Sequence, residues 1–358
     1  MPKSLVISVD AMGGDHGPPV VAPGVGLALR RDPDLRILLH GDEAQVKAAI
    51  ARLPAEVRGR CEVRPAEKSI AMDEKPSAAL RRGKGSSMWN AIDAVRQGEA
   101  QAAVSAGNTG ALMAMSKLIL RMAEGLERPA IVATWPTMKG VTAVLDVGAN
   151  IECDAEQLVE FAIMGAAFHH AVHGGGDPAH RPSVGLLNVG SEEQKGHEDV
   201  REAHRMLREL GLDLDYHGFV EGNDIAKGTV DVVVTDGFTG NVALKTAEGV
   251  ARFIGAEVKN TFKSGPFAML GALIASHALK GMKRRLDPGR VNGGPLLGLN
   301  GIVVKSHGGA DANGFASAIR VAADLARSDF SAEIDRNMKR LTTAAAEAVE
   351  AAGAQGAA

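Results

Sequence analysis

The chain has 358 residues, 45% of them hydrophobic and 23% charged, with a formal net charge of −3. This is globular composition with apolar content for a sizeable core, and its near-neutral balance gives no electrostatic footprint for nucleic acid. Cys61 and Cys153 lack CxxC spacing, which excludes a disulfide framework or a cysteine zinc site, and no run approaches the about 18 apolar residues of a membrane span.

The N-terminal MPKSLVISVD has no signal-peptide organisation and enters a strand at 5–9. A helix follows at 20–30, a strand at 36–40 (RILLH), a helix at 44–52 and a short strand at 61–64. Residues 72–87 read as a polar loop, 87–97 as a helix, 102–105 (AAVS) as a strand and 111–122 as a helix. Residues 130–135 and 141–146 read as a strand pair joined across 136–140. Asp154 opens a long helix to about 172, with Gln157 in capping-box position. After the breakable stretch 173–182 come a strand at 184–188, a helix at 198–210, a buried strand at 230–235 and a helix from Asn241 to 257. A strand at 302–305 and a helix at 312–327 close the pattern, and 351–358 read as a frayed tail. Strand–loop–helix repetition predicts a three-layer α/β/α sandwich with a mostly parallel sheet, organised as one domain over 1–350.

Ligands of such sheets bind beyond the carboxyl ends of the strands. Here those ends carry DAMGGDH (10–16), NTG (108–110), DVGAN (146–150), NVGS (188–191) and DGFTGN (236–241). Glycines allow close backbone approach, and helix-start N–H groups favour an anion. One such loop is ordinary turn chemistry; five of them predict a shared polar site for a small anionic substrate. GKGSS (83–87) lacks phosphate-loop spacing, and Gly24–Gly26 lies inside a helical pattern rather than after a strand. Ala103–Gly107 approximates a nucleophile elbow around Ser105, but has Ala in place of the first Gly. His169 and His173 are four apart on a helix; without HExxH they read as packing or surface histidines, and no metal is expected.

Residues 258–290 read as a protruding helical segment. Phe267, Leu270, Leu273 and Ile274 are apolar, and Lys280, Lys283, Arg284 and Arg285 are basic. That combination suits an anionic membrane surface or an acidic partner.

Seven segments, in order across nearly the whole chain, are similar to the bacterial phosphate acyltransferase family of phospholipid synthesis: VDAMGGDHGP, SAGNTGALM, RPA, LDVGAN, VGLLNVGSEEQKG, VVVTDGFTGNVALKT and KSHGGADANG. The resemblance implies a fold shared with phosphotransacetylases and isocitrate-type dehydrogenases. It implies acyl transfer from acyl carrier protein to inorganic phosphate without a cofactor, and use of the acyl phosphate by a membrane glycerol-3-phosphate acyltransferase. It implies a cytoplasmic homodimer associated with the inner face of the membrane. Lys195 and Asn241 then become the central pair, with Asn241 donating from the opening of its helix. Asp10, Gly13, Gly14, His16, Asn108, Thr109, Asp146, Asn150, Asn188, Asp236, Gly237, Thr239 and His307 become candidate substrate contacts. A coenzyme A phosphotransacetylase, an isocitrate-type NAD-dependent dehydrogenase and a non-catalytic membrane-surface scaffold remain as alternatives.

Overall fold

The computed structural model describes residues 4–174, 177, 180–285 and 292–355. Its strands are β1 (Leu5–Asp10), β2 (Leu35–Gly41), β3 (Cys61–Pro65), β4 (Ala102–Ser105), β5 (Ala130–Thr137), β6 (Gly140–Leu145), β7 (Ser183–Leu187), β8 (Asp215–Val220), β9 (Val232–Val234), β10 (Gly294–Leu297) and β11 (Ile302–Lys305). They form one sheet in the order β3-β2-β1-β4-β11-β10-β5-β6-β9-β7-β8.

The sheet contains two parallel blocks. β1 to β4 and β11 run together, as do β6, β9, β7 and β8. Between them β10 is antiparallel to β11 and to β5, and β5 is antiparallel to β6. The number of reversals is odd, so the two blocks point in opposite directions. Their carboxyl ends leave the sheet at opposite edges.

Both faces are covered, which is why strands such as β1, β4 and β9 are buried almost throughout and mostly apolar. On one face α13 (Ala312–Arg327) lies on β1, β4 and β11 and α7 (Ala155–His173) on β6, β9 and β7, with α1 (Pro18–Arg31) against α13; Leu29, Phe161, Phe168 and Phe315 belong to the core on this side. On the other, α5 (Ser87–Arg96) and α6 (Thr109–Leu120) bring Ile92, Leu112 and Met115 into a core with Ala103 and Val303. Phe161 and Phe168 are wholly buried, so truncating either to Ala should cost about 3–5 kcal/mol. The Asp154–Gln157 capping box of α7 is present as expected.

Several elements differ from the sequence reading. Residues 76–82, taken as loop, form the short helix α4 (Pro76–Arg82), whose proline stands in the first turn. β8 escaped notice because its pattern is broken by Gly218 (φ 107°) and a register shift opposite Val184. β10 reads GPLL, residues that argue against a strand. α10 (Gly237–Phe262) begins at Gly237, not at Asn241, because Asp236 caps it. A last helix, α14 (Phe330–Gln355), reaches into the segment expected to fray. Among the described residues no helix is long and apolar enough to cross a membrane.

Candidate active site

The candidate residues fall into two clusters, one at each edge of the sheet. The first lies where β1, β4 and β11 end side by side. Asp10, Ser105 and Lys305 are in register as the last residues of their strands. Ser105 Oγ donates to Asp10 Oδ2 at 2.7 Å and accepts from the Gly107 N–H at 3.0 Å, all of it buried. The hydroxyl is committed to this turn and closed to solvent, which removes Ser105 as a nucleophile. Burial raises the Asp10 pKa, opposed by hydrogen bonds from Ser105 and the loop N–H groups.

Lys305 reaches into the same turn. Its Nζ donates to the Ala106 carbonyl at 3.2 Å and to the Ser306 carbonyl. An ammonium has three donors, so one remains for an anion. Burial pushes its pKa down to about 8 and Lys245 adds to that, while the Asp15 and Asp10 carboxylates push it up. Around it the 11–17 loop meets the 306–309 loop, where the Asp15 N–H donates to the Gly308 carbonyl at 3.0 Å. Gly14 has φ 90°, and a Cβ there would lie 3.0 Å from both Ala106 Cβ and the Gly308 carbonyl. Gly13 is packed as tightly, 2.6 Å from Asp10 Oδ2 by the same measure. His16 and His307 are exposed at the rim, with His307 Nδ1 accepting from the Gly309 N–H at 3.1 Å.

Asn108 sits beside this cluster, but its side chain is fully used. It caps α6 through the Ala111 N–H and donates to the Met72 and Glu74 carbonyls at 2.8 and 2.9 Å. Its role is to clamp the 72–76 segment; Thr109 next to it is exposed.

The second cluster lies beyond β6, β9 and β7. Asp146 is wholly buried and accepts from the N–H groups of Ile131, Gly148, Ala149 and Asn150 and from the Asn150 amide at 2.6–3.2 Å. Burial raises its pKa and the donors oppose the rise. The Asn150 amide also donates to the Pro129 carbonyl at 2.9 Å. The Asn150 carbonyl accepts from the Gly237 N–H at 2.6 Å. Asp236 caps α10 through the Thr239 N–H at 2.8 Å and the Thr239 hydroxyl at 2.7 Å. Asp146 and Asn150 therefore build the seat of α10 rather than an open contact surface.

Asn241 lies in the second turn of α10, so the expectation that it opens the helix is corrected. Its side chain is exposed and faces the 146–150 loop; a Cβ on Gly148 would lie 3.7 Å from its Cβ and Cγ. In the neighbouring loop the Asn188 amide donates to the Lys195 carbonyl at 3.0 Å. Lys195 folds across Gly190 to pair with Glu192 at 2.8 Å. That pair is half exposed, worth at most about 1 kcal/mol, so an incoming anion can displace Glu192.

The structure thus replaces one convergent site with two clusters, and α10 links them. From Gly237 to Lys245 the helix rises about 12 Å, close to the length of a four-residue strand. Asn241 and Lys245 share a face four residues apart; the first lies against the 146–150 loop and the second within electrostatic reach of Lys305. Lys305 and Lys245 were missed from sequence, although both lie in segments that carried the resemblance.

α11 (Pro266–Ile274) has no buried residue, and Phe267, Leu270, Leu273 and Ile274 are 89%, 55%, 70% and 79% exposed. The apolar surface continues on α10 through Val250, Phe253 and Ile254. Lys280, Lys283, Arg284 and Arg285 belong to α12 (Ser276–Arg285), but their side chains lie outside the described residues.

The profile of the fatty acid synthesis protein family matches residues 5–333. The chain is 74% identical to a phosphate acyltransferase of Caulobacter vibrioides, over 99% of this chain and 97% of that protein. It is 62% identical to one from Phenylobacterium zucineum, over 96% of each. Among solved structures, a phosphotransacetylase from Streptococcus pyogenes superposes with a TM-score of 0.61 at 17% identity, covering 91% of this chain and 95% of that one; this likeness concerns the fold.

Proposed function

The chain belongs to the fatty acid synthesis protein family, and on that premise we propose that it transfers a fatty acyl group from acyl carrier protein to inorganic phosphate. It is an enzyme of the phosphate acyltransferase kind. The observation that carries the assignment of its phosphate site is Lys305, a half-buried cation with a free donor between two glycine turns.

A phosphate oxygen attacks the thioester carbonyl carbon. The new C–O bond forms, charge gathers on the carbonyl oxygen, and the C–S bond then breaks to release the carrier thiolate, which takes a proton from solvent. Lys305 holds the phosphate. Lys195 and Asn241 donate to the developing oxyanion, and α10 spans from one group to the other. Orientation and fixed donors supply the rate without a covalent acyl-enzyme.

Release of free acyl carrier protein from its thioester should require added phosphate. A stoichiometric burst without phosphate would sink the direct mechanism, and faster turnover with coenzyme A thioesters would move the donor assignment. Lys195→Ala should stay folded and lose at least about 100-fold in turnover; near-normal turnover removes Lys195 from the chemistry.

The acyl phosphate then feeds a membrane glycerol-3-phosphate acyltransferase in phospholipid synthesis. The protein works as a homodimer, docked by α11 and α12 on the anionic inner face of the membrane. Support comes from the exposed apolar face of α11 next to the basic sequence of α12. Replacing Leu273 and Ile274 with Ser should reduce cosedimentation with phosphatidylglycerol vesicles by tenfold or more, at roughly 0.8 kcal/mol per buried CH₂. Unchanged cosedimentation would assign this face elsewhere.

A further inference from the structure

At the edge of the sheet where β7 and β9 begin, three side chains from distant parts of the chain meet. His169 lies in the last turn of α7, His180 in the connection that follows, and Asp231 immediately before β9. One ligand atom from each lies within 4.8 Å of the other two, the single such group found among the described residues. His169 Nε2 is 3.9 Å from Asp231 Oδ1, and the His169 and His180 rings are 6.3 Å apart. His169 is 5% exposed, so its imidazole is fixed by the core rather than free in solvent.

The carboxylate is held by a second layer. Asp231 Oδ2 accepts from the Ser183 N–H at 2.9 Å and the Ser183 hydroxyl at 2.8 Å, and the hydroxyl accepts from the Asp231 N–H at 3.0 Å. Oδ2 is thereby occupied and Oδ1 turned to His169. Ligands of metal sites are oriented in just this way by outer-layer hydrogen bonds. His173 adds a third imidazole, its ring 5.2 Å from that of His169 and its buried Nε2 without a hydrogen-bond partner. His170 is excluded: it is engaged by Glu333 at 2.9 Å and the Asp177 carbonyl at 3.1 Å.

We infer that His169, His180 and Asp231 form a binding site for a divalent cation of the zinc class. Two imidazoles and one carboxylate suit zinc, which takes such ligands at about 2.0–2.2 Å in a tetrahedron. Ligand atoms of that tetrahedron stand roughly 3.4 Å apart, so closure from the present spacing requires a movement of about an ångström. The fourth position is left to water or to His173. The ion would pin the end of α7 and His180 to the start of β9, the strand that leads into Asp236 and α10. The site is structural, because it lies at the edge opposite the loops that seat α10 and, along its own edge, β9 stands four strands from the β11 that ends in Lys305, about 19 Å at the usual strand spacing.

The test is Co²⁺ titration of the tag-free, chelator-treated full chain, followed by competition with Zn²⁺. About one equivalent should bind, with the visible absorption of low-coordinate, imidazole-ligated Co²⁺, and Zn²⁺ should displace it while raising the melting temperature. His180→Ala, a change in a surface connection, should weaken binding by tenfold or more, and Asp231→Asn by a similar factor. His217→Ala, an exposed histidine on β8, should leave binding unchanged. Absence of binding to the unaltered chain overturns the site, as does binding that survives His180→Ala.

Discussion

Lys305→Met is expected to lower kcat/KM for phosphate by about 100- to 1,000-fold, the usual cost of deleting one preorganised donor to a charged group. Methionine keeps the length and apolar stem of lysine, so β11 and its neighbours should hold their packing. The variant does leave the Ala106 carbonyl without its partner, a cost of about 1–3 kcal/mol, which urea titration will register separately. The pH profile isolates the charge. With its pKa pushed down to about 8 by burial, Lys305 is a cation below that pH and neutral above it. kcat/KM should therefore fall as pH rises through about 8. Stability should move the other way. The folded-state pKa lies below the 10.5 of an ordinary lysine, so between those values the unfolded chain binds more protons and the folded state gains with rising pH. Activity lost in a window where the fold is strengthening cannot be unfolding. Lys245→Ala removes a neighbouring positive charge and should shift the falling limb to higher pH; Asp15→Asn should shift it lower. A profile that stays flat through pH 8 and ignores both substitutions removes Lys305 from the phosphate site.

Much of the fold was legible because its signals are local. The apolar runs of β1, β4 and β9 and the Asp154–Gln157 box each act within a few residues. Strand direction is not local. An apolar run such as VVV carries no arrow, and the reversal of the second block follows only from the β5–β6 hairpin and the placement of β10. The same limit governs the site. TDGFTGN reads as a loop that ends in a helix at Asn241, and the Thr239 hydroxyl and N–H bonds to Asp236 start that helix at Gly237 instead. Lys305 ends a four-residue strand, where a lysine ordinarily reads as solvated. Its burial comes from Ala106, 199 residues away, and from the Gly14 turn, a coincidence of packing that no spacing rule encodes. Asp146 and Asn150 read from sequence as candidate substrate contacts, whereas the bonds they make in the structure are those of a hub that seats α10.

That hub gives the largest expected effect on stability. Asp146→Ala removes a wholly buried side chain that accepts from four backbone N–H groups and one side-chain amide. Stranding one buried donor costs about 1–3 kcal/mol, and losing one member of a buried charged network about 3–5 kcal/mol; the latter is the expected loss, read as a lower urea midpoint. Asp146→Asn keeps one carbonyl acceptor but aims an NH₂ at the remaining donors, so it should recover only part of that loss. Gly240→Ala probes the same seat from the helix side. Its Cβ would lie 2.0 Å from the Asp146 carbonyl oxygen, a contact that backbone on both sides can relieve only by moving α10, at about 1–3 kcal/mol or more. The two substitutions act on the same loop, one through the Asp146 side chain and the other against its backbone carbonyl, and should couple, the double variant losing less than the sum. Because α10 carries Asn241 and Lys245, Gly240→Ala should also reduce turnover in the surviving folded fraction. Strict additivity of the two, or a wild-type midpoint for Asp146→Ala, would mean that the 146–150 loop does not support the helix and that Asn241 is positioned by something else.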